Sequence, residues 1–107
     1  MNQTTGLLTI VVPCYNGEAY IRRCTKNLES LQEDISILFV NDGSTDASRQ
    51  MIEEWIRTRP NAFLITKPNG GYSTAINCAL EACGSEYVTF LGVDDGKFPV
   101  VDVPVTV

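Results

Sequence analysis

Apolar residues arrive in four short runs separated by longer segments of mixed character. Leu7-Leu8-Thr9-Ile10-Val11-Val12-Pro13, Ile35-Ser36-Ile37-Leu38-Phe39-Val40, Ala62-Phe63-Leu64-Ile65-Thr66 and Tyr87-Val88-Thr89-Phe90-Leu91 are rich in β-branched and aromatic residues. They lack a clean two-residue alternation, which is the pattern of strands covered on both faces. The runs end near residues 13, 40, 66 and 92, about 26 residues apart, enough for a strand and one crossover helix. The segments between them carry a 3.6-residue period. Tyr20, Cys24, Leu28 and Leu31 form one stripe. Ala47, Met51 and Trp55 form a second, flanked by Ile52 and Ile56. Ile76, Leu80 and Cys83 form a third, beside the small residues Ala75, Ala79 and Ala82. Asp46 and Ser73 stand where helix N-caps are expected, and Gly84 where the third helix should stop. Met51 and Trp55 are expected in the core.

Strand–helix alternation of this kind predicts an α/β fold: a three-layer, Rossmann-like, mostly parallel sheet. Such sheets bind ligands outside the carboxyl ends of their strands. The residues after each run therefore matter most. They are Cys14-Tyr15-Asn16-Gly17-Glu18, Asn41-Asp42-Gly43-Ser44-Thr45-Asp46, Lys67-Pro68-Asn69-Gly70-Gly71-Tyr72 and Val93-Asp94-Asp95-Gly96. Polar and glycine residues are concentrated on one edge of the predicted sheet.

Composition narrows the chemistry. The 107 residues allow one domain, with 44% hydrophobic and 20% charged residues. Eight Lys+Arg against 13 Asp+Glu give a formal charge of −5, which lacks the basic footprint of nucleic-acid binding. Histidine is absent, which removes Ser-His-Asp and Cys-His catalysis. Cys14, Cys24, Cys78 and Cys83 form no C-x-x-C pair, so zinc and redox motifs are not indicated; the last three fall in helical patterns and are expected to be small buried hydrophobes. Met1–Gly6 is polar, without a basic leader, and is expected to be a flexible N-terminus. The first apolar run is too short to span a membrane. The expected setting is cytoplasmic, or peripheral at the inner face of a membrane.

Two carboxylates about 4 Å apart repel by roughly 4 kcal/mol at an effective dielectric of about 20. Asp94-Asp95 is therefore either a solvated acidic turn or a site for a hard divalent cation, Mg2+ or Mn2+. Asp42 ends a strand and either shapes its own turn or accepts a hydrogen bond from a base N–H or ribose hydroxyl. Tyr15 offers a ring that packs on its loop or lies against a nucleobase. Gly70-Gly71 allow a plain turn or backbone close to a ligand, and the following helix N-terminus favours an anion. The dinucleotide motif G-x-G-x-x-G and the P-loop are both absent, so a nucleotide here needs a metal and a base-reading carboxylate rather than a glycine cradle.

Together these segments resemble the amino-terminal half of family-2 glycosyltransferases of the GT-A fold. The resemblance is carried by Ile10-Val11-Val12-Pro13-Cys14-Tyr15-Asn16-Gly17-Glu18, Val40-Asn41-Asp42-Gly43-Ser44-Thr45-Asp46, Asn69-Gly70-Gly71 with Ala75 to Leu80, and Gly84-Ser85-Glu86-Tyr87 leading to Leu91-Gly92-Val93-Asp94-Asp95. It covers residues 7–99 and implies a nucleotide-diphospho-sugar transferase fold with strand order 3-2-1-4. It further implies that Pro13, Tyr15, Glu18 and Gly70 border the nucleotide. By the same resemblance Asp42 contacts the base, most often uracil. Asp94 meets the ribose, and Asp94 with Asp95 holds Mg2+ or Mn2+. The family's reaction is inverting transfer of a sugar from a nucleotide diphosphate, UDP favoured, to a saccharide or lipid acceptor. Gly92 replaces the first Asp of the usual Asp-x-Asp-Asp. The family's catalytic base and acceptor site lie beyond the matched segment, so no catalytic residue is assigned, and the chain is expected to be a truncated donor-binding domain with little or no transfer activity of its own.

Residues 100–107 form an atypical tail in which valines alternate with Asp102, Pro104 and Thr106. This suggests an edge strand that covers core surface or pairs two copies, or else a sequence scar. The rival to an enzyme is a non-catalytic module that binds a nucleotide or self-associates. A third reading, a phospho-acceptor receiver domain, needs an acidic pair after the first strand, and Cys14-Tyr15-Asn16 is not one.

Overall fold

The computed structural model describes residues 8–31, 34–93 and 103–104. β-Branched runs become strands and the segments between them helices. The order is β1 (Leu8–Cys14), α1 (Glu18–Leu28), β2 (Ile35–Asp42), α2 (Ser48–Ile56), β3 (Ala62–Lys67), α3 (Tyr72–Ala82), β4 (Tyr87–Phe90) and β5 (Val103–Pro104). The sheet order is β3-β2-β1-β4-β5. The first four strands are parallel, in the expected order 3-2-1-4, and β5 pairs antiparallel with β4, Val103 opposite Val88. The edge strand read in the tail is thus formed at Val103 and Pro104; the other tail residues lie outside the described ones.

Two cores lie on the two faces of the sheet. Ile10, Val12, Ile37 and Phe39 pack against Ile21, Cys24 and Leu28 of α1 and Ile52 of α2. Val11, Leu38, Val40 and Val88 pack against Ala75 and Ala79 of α3, with Cys83 just beyond it. Central β1 and β2 are buried on both faces, as the lack of alternation predicted, whereas β3, read the same way, is only half-buried because it lies at the sheet edge. Trp55 meets Phe39 edge-on at 5.8 Å between ring centroids, and the Arg59 guanidinium lies 4.5 Å from the Trp55 centroid.

The helix faces differ from the sequence reading in two places. In α1 the buried stripe is Ile21, Cys24, Thr25 and Leu28, and Tyr20 is exposed. Thr25 tolerates burial because its hydroxyl donates to the Ile21 carbonyl at 2.9 Å, which leaves no unsatisfied polar group. In α3 the small residues face the sheet, while Leu80 is exposed and Ile76 only half-buried. The bulk on that side comes from the strands.

The helix ends differ too. Ser73 lies inside α3, whose N-cap is Gly71. The same helix ends through Cys83 in an extended conformation (φ −82°, ψ 127°) rather than through a left-handed glycine. Asp46 precedes the α2 N-cap, Ala47, yet it still accepts the Ser48 N–H at 2.9 Å. Cys24 and Cys83 are buried as expected and Cys78 is half-buried. Burial pushes the Cys24 thiol up to about 11.

The shifted α1 stripe is testable by urea unfolding. Ile21→Ala is expected to cost about 2–5 kcal/mol, and Tyr20→Ala to stay within about 0.5 kcal/mol. Equal losses would restore the original stripe.

Candidate functional site

Parallel pairing brings the strand ends to one edge. Cys14 lies opposite Asn41, Asn41 opposite Thr66, and Asp42 opposite Lys67. The loops after β1, β2 and β3 therefore meet.

Asp42 is only 4% exposed, and its carboxylate organises the third loop. Oδ1 accepts from Lys67 Nζ at 2.6 Å and from the Gly70 N–H at 3.0 Å. Oδ2 accepts from the Gly71 N–H at 3.0 Å. Lys67 Nζ also donates to the Pro68 carbonyl at 2.7 Å and to Thr74 Oγ1 at 2.9 Å, which uses all three ammonium donors. Asn69 Nδ2 donates to the Asp42 carbonyl at 3.1 Å. The anion at the start of α3 is thus the protein's own carboxylate. Burial pushes the Asp42 carboxyl up, but Lys67 and the two glycine amides outweigh it, and the group is held below its ordinary value. A Cβ at Gly70 would lie 2.7 Å from Thr74 Oγ1, so a side chain there would push Thr74 off its bond to Lys67.

The first two loops are tied to each other. Ser44 Oγ accepts the Asn16 N–H at 3.0 Å, and Asn16 Oδ1 accepts the Thr45 N–H at 2.8 Å. These bonds hold Asn16 in a left-handed conformation (φ 48°), which asparagine tolerates. Ser48 Oγ accepts the Gly17 N–H at 2.9 Å. Asp46 Oδ2 accepts the Glu18 N–H at 3.1 Å, and Glu18 Oε1 accepts the Ala47 N–H at 3.4 Å. Each acidic residue therefore supports the N-terminus of the other's helix, where negative charge is favoured. The Asp46 carboxyl is pushed up by burial and pulled further down by hydrogen bonds, chiefly from Ser48 and Glu18, so it too is lowered. Burial raises the Cys14 thiol above its usual value, which disfavours a nucleophilic role.

Between these loops a cavity of about 120 Å³ is lined by Pro13, Cys14, Tyr15, Asp42, Tyr72 and Ala75. A second, of about 240 Å³, shares Pro13, Tyr15 and Tyr72, and adds Asn16, Gly17, Tyr20, Gly92 and Val93. The expected residues Pro13, Tyr15 and Asp42 thus share one crevice. Gly70 joins it through Asp42, and the Glu18 carboxylate turns to the α2 N-terminus. Asp94 and Asp95 lie outside the described residues. Two residues of the site, both in the loop segment after the third run, have no assigned role in the sequence reading. Lys67 carries its signal in parity, because it continues the inward series Phe63, Ile65. Tyr72 follows a glycine pair at the start of a helix.

Among the described residues no group of three His, Cys, Asp or Glu side chains could hold a metal ion. Asp42, the one carboxylate among the described residues that line these two cavities, is already engaged by one ammonium and two amides. The described residues do not by themselves make a metal site. Among the described residues no helix is long and apolar enough to cross a membrane.

Comparison with known proteins adds four matches. The family profile described as glycosyl transferase family 2 matches residues 9–96. Glycosyltransferase GlyA of Streptococcus pneumoniae serotype 4 is 38% identical over 89 residues, which is 82% of this chain and 13% of that protein. Among solved structures, Staphylococcus aureus TarS 1–349 in complex with UDP-GlcNAc superposes with a TM-score of 0.74 at 29% identity, over 82% of this chain and 26% of that one. The mannosyltransferase PcManGT from Pyrobaculum calidifontis, in complex with GDP-Man and Mn2+, gives 0.73 at 26% identity, over 81% of this chain and 27% of that one. The chain thus spans about a quarter or less of the length of these relatives.

The lowered carboxyls predict an acid limb of defined sign. As the pH falls, the unfolded chain takes up protons first, near the ordinary carboxyl value of 3.8, while folded Asp42 and Asp46 resist. Their stabilising contribution is complete above about pH 4 and is lost as the pH falls through the lowered folded values. Asp42→Asn is expected to flatten the dependence of melting temperature on pH below about pH 4. A variant profile parallel to that of the wild type would contradict the Asp42 arrangement.

Proposed function

The chain belongs to glycosyl transferase family 2, and on that premise we propose that it is the donor-binding part of a glycosyltransferase. The donor is a nucleoside diphosphate sugar, with a UDP-sugar favoured, taken together with Mg2+ or Mn2+. One observation carries this reading. A carboxylate has about four acceptor positions, and among the described residues Asp42 Oδ1 meets two donors while Oδ2 meets one. A single acceptor position remains on a fixed anion that lines the cavity with Tyr15. That suits the edge N–H of a pyrimidine, and a charge-assisted bond there contributes roughly 1.5–3 kcal/mol.

In this reading Asp42 accepts from the base, and Pro13 and Tyr15 border it. Gly70 acts through the amide it gives to Asp42, and Glu18 through the loop it braces. Asp94 meets the ribose, and Asp94 with Asp95 holds the cation. A divalent ion bound there would neutralise charge on the departing diphosphate. In the transfer, an acceptor hydroxyl oxygen bonds to the anomeric carbon with inversion. The bond to the diphosphate oxygen breaks and takes its electron pair. The hydroxyl proton passes to a base that is not assigned to this chain. The acceptor is a saccharide or lipid, and the chain alone binds donor without transferring sugar. The reading places it in the cytoplasm or at the inner face of a membrane.

Calorimetric titration with UDP in the presence of Mn2+ tests the proposal. Binding is expected in the wild type, lost in Asp42→Ala, and no longer enhanced by Mn2+ in Asp95→Ala. Absence of heat at millimolar UDP, with self-association by light scattering, would instead favour the non-catalytic module.

A further inference from the structure

We propose that Tyr72 is a second nucleobase-contacting aromatic, which bounds the crevice from the α3 side as Tyr15 does from the β1 side. The inference rests on the nucleotide reading above and names a residue that reading does not use. Tyr72 is the first residue of α3 and, at 64% exposed, the most exposed large hydrophobic side chain among those described. It is absent from both hydrophobic cores, so folding does not account for an aromatic ring there. Yet it lines both cavities, each time with Pro13 and Tyr15.

The backbone that places it is specialised. Gly71 has φ 95° and ψ 170°, a region open essentially to glycine alone. A Cβ at Gly71 would meet nothing within 4 Å, so the requirement is torsional and not one of space. This torsion accompanies two outcomes. It aims the Gly71 N–H at Asp42 Oδ2, and it starts α3 so that the next side chain lines the crevice. The carboxylate that offers an acceptor to the base edge and the ring that offers a face to the base are thus fixed by one turn. Stacking a base on an aromatic ring is worthwhile for any base, because each has a π-face. Tyr72 therefore adds affinity for the nucleoside and none for the diphosphate.

The test is titration of the 107-residue chain with three probes: UDP, uridine and inorganic pyrophosphate, each with Mn2+. Tyr72→Leu is expected to weaken UDP and uridine roughly five- to a hundred-fold and to leave pyrophosphate unchanged. Tyr72→Phe keeps the ring and should stay within about two-fold of wild type on all three. Unchanged melting temperatures would show that the exposed substitutions leave the fold intact. UDP binding by Tyr72→Leu equal to wild type, with Tyr15→Leu weakened, would overturn the role of Tyr72 alone. Equal weakening of pyrophosphate would also overturn it, by moving the effect off the base. Failure of the wild type to bind UDP or uridine would remove the nucleotide reading and this inference together.

Discussion

The ammonium of Lys67 on the carboxylate of Asp42 is the contact around which the crevice is built. It joins the ends of β2 and β3, and through Pro68 and Thr74 it reaches both sides of the glycine turn. A nearly buried carboxylate is stable only when its charge is met. Here one cation and two amides meet it. Because the amides belong to the turn that starts α3, the loop conformation and the ionisation of Asp42 depend on each other. An anion fixed in this way needs no rearrangement before it accepts a donor from a ligand, and such preorganisation is what makes a single hydrogen bond effective.

The neighbouring loops solve a related problem by other means. The N–H groups at the starts of α1 and α2 have no partners within their own helices. Asp46, Glu18 and Ser48 supply partners across the gap. Two helix N-termini that would leave polar groups unsatisfied at a sheet edge satisfy each other instead. This holds the backbone beside Tyr15 without placing bulk in the cavity.

Much of this was legible in the sequence, and the failures share a cause. The strands were legible because a β-branched run without alternation has few other uses, and the placement of Asp42 and Tyr15 followed from their position at strand ends. The buried face of α1 was displaced by one residue because a 3.6-residue period admits adjacent stripes. The choice between them fell to Thr25, whose hydroxyl is satisfied by its own helix. The face of α3 was misjudged because the volume available to it is set by Val11, Leu38, Val40 and Val88, which lie elsewhere in the chain. Lys67 was missed for a similar reason: its partner is fixed by strand register, and register is a property of two segments. Asp94 and Asp95 remain an expectation of sequence alone, although Gly92 and Val93, just before them, line the crevice.

Trp55 is the only tryptophan in the chain. It lies on the α2 side of the sheet, against Phe39 and beneath Arg59, and its Nε1–H is buried without a partner among the described residues. Neither crevice cavity includes it. Its fluorescence therefore reports global unfolding, and a ligand seated in either cavity at the strand ends would not touch its ring. The tyrosines at the crevice mouth carry the complementary signal, so one molecule offers two separable optical channels without any label.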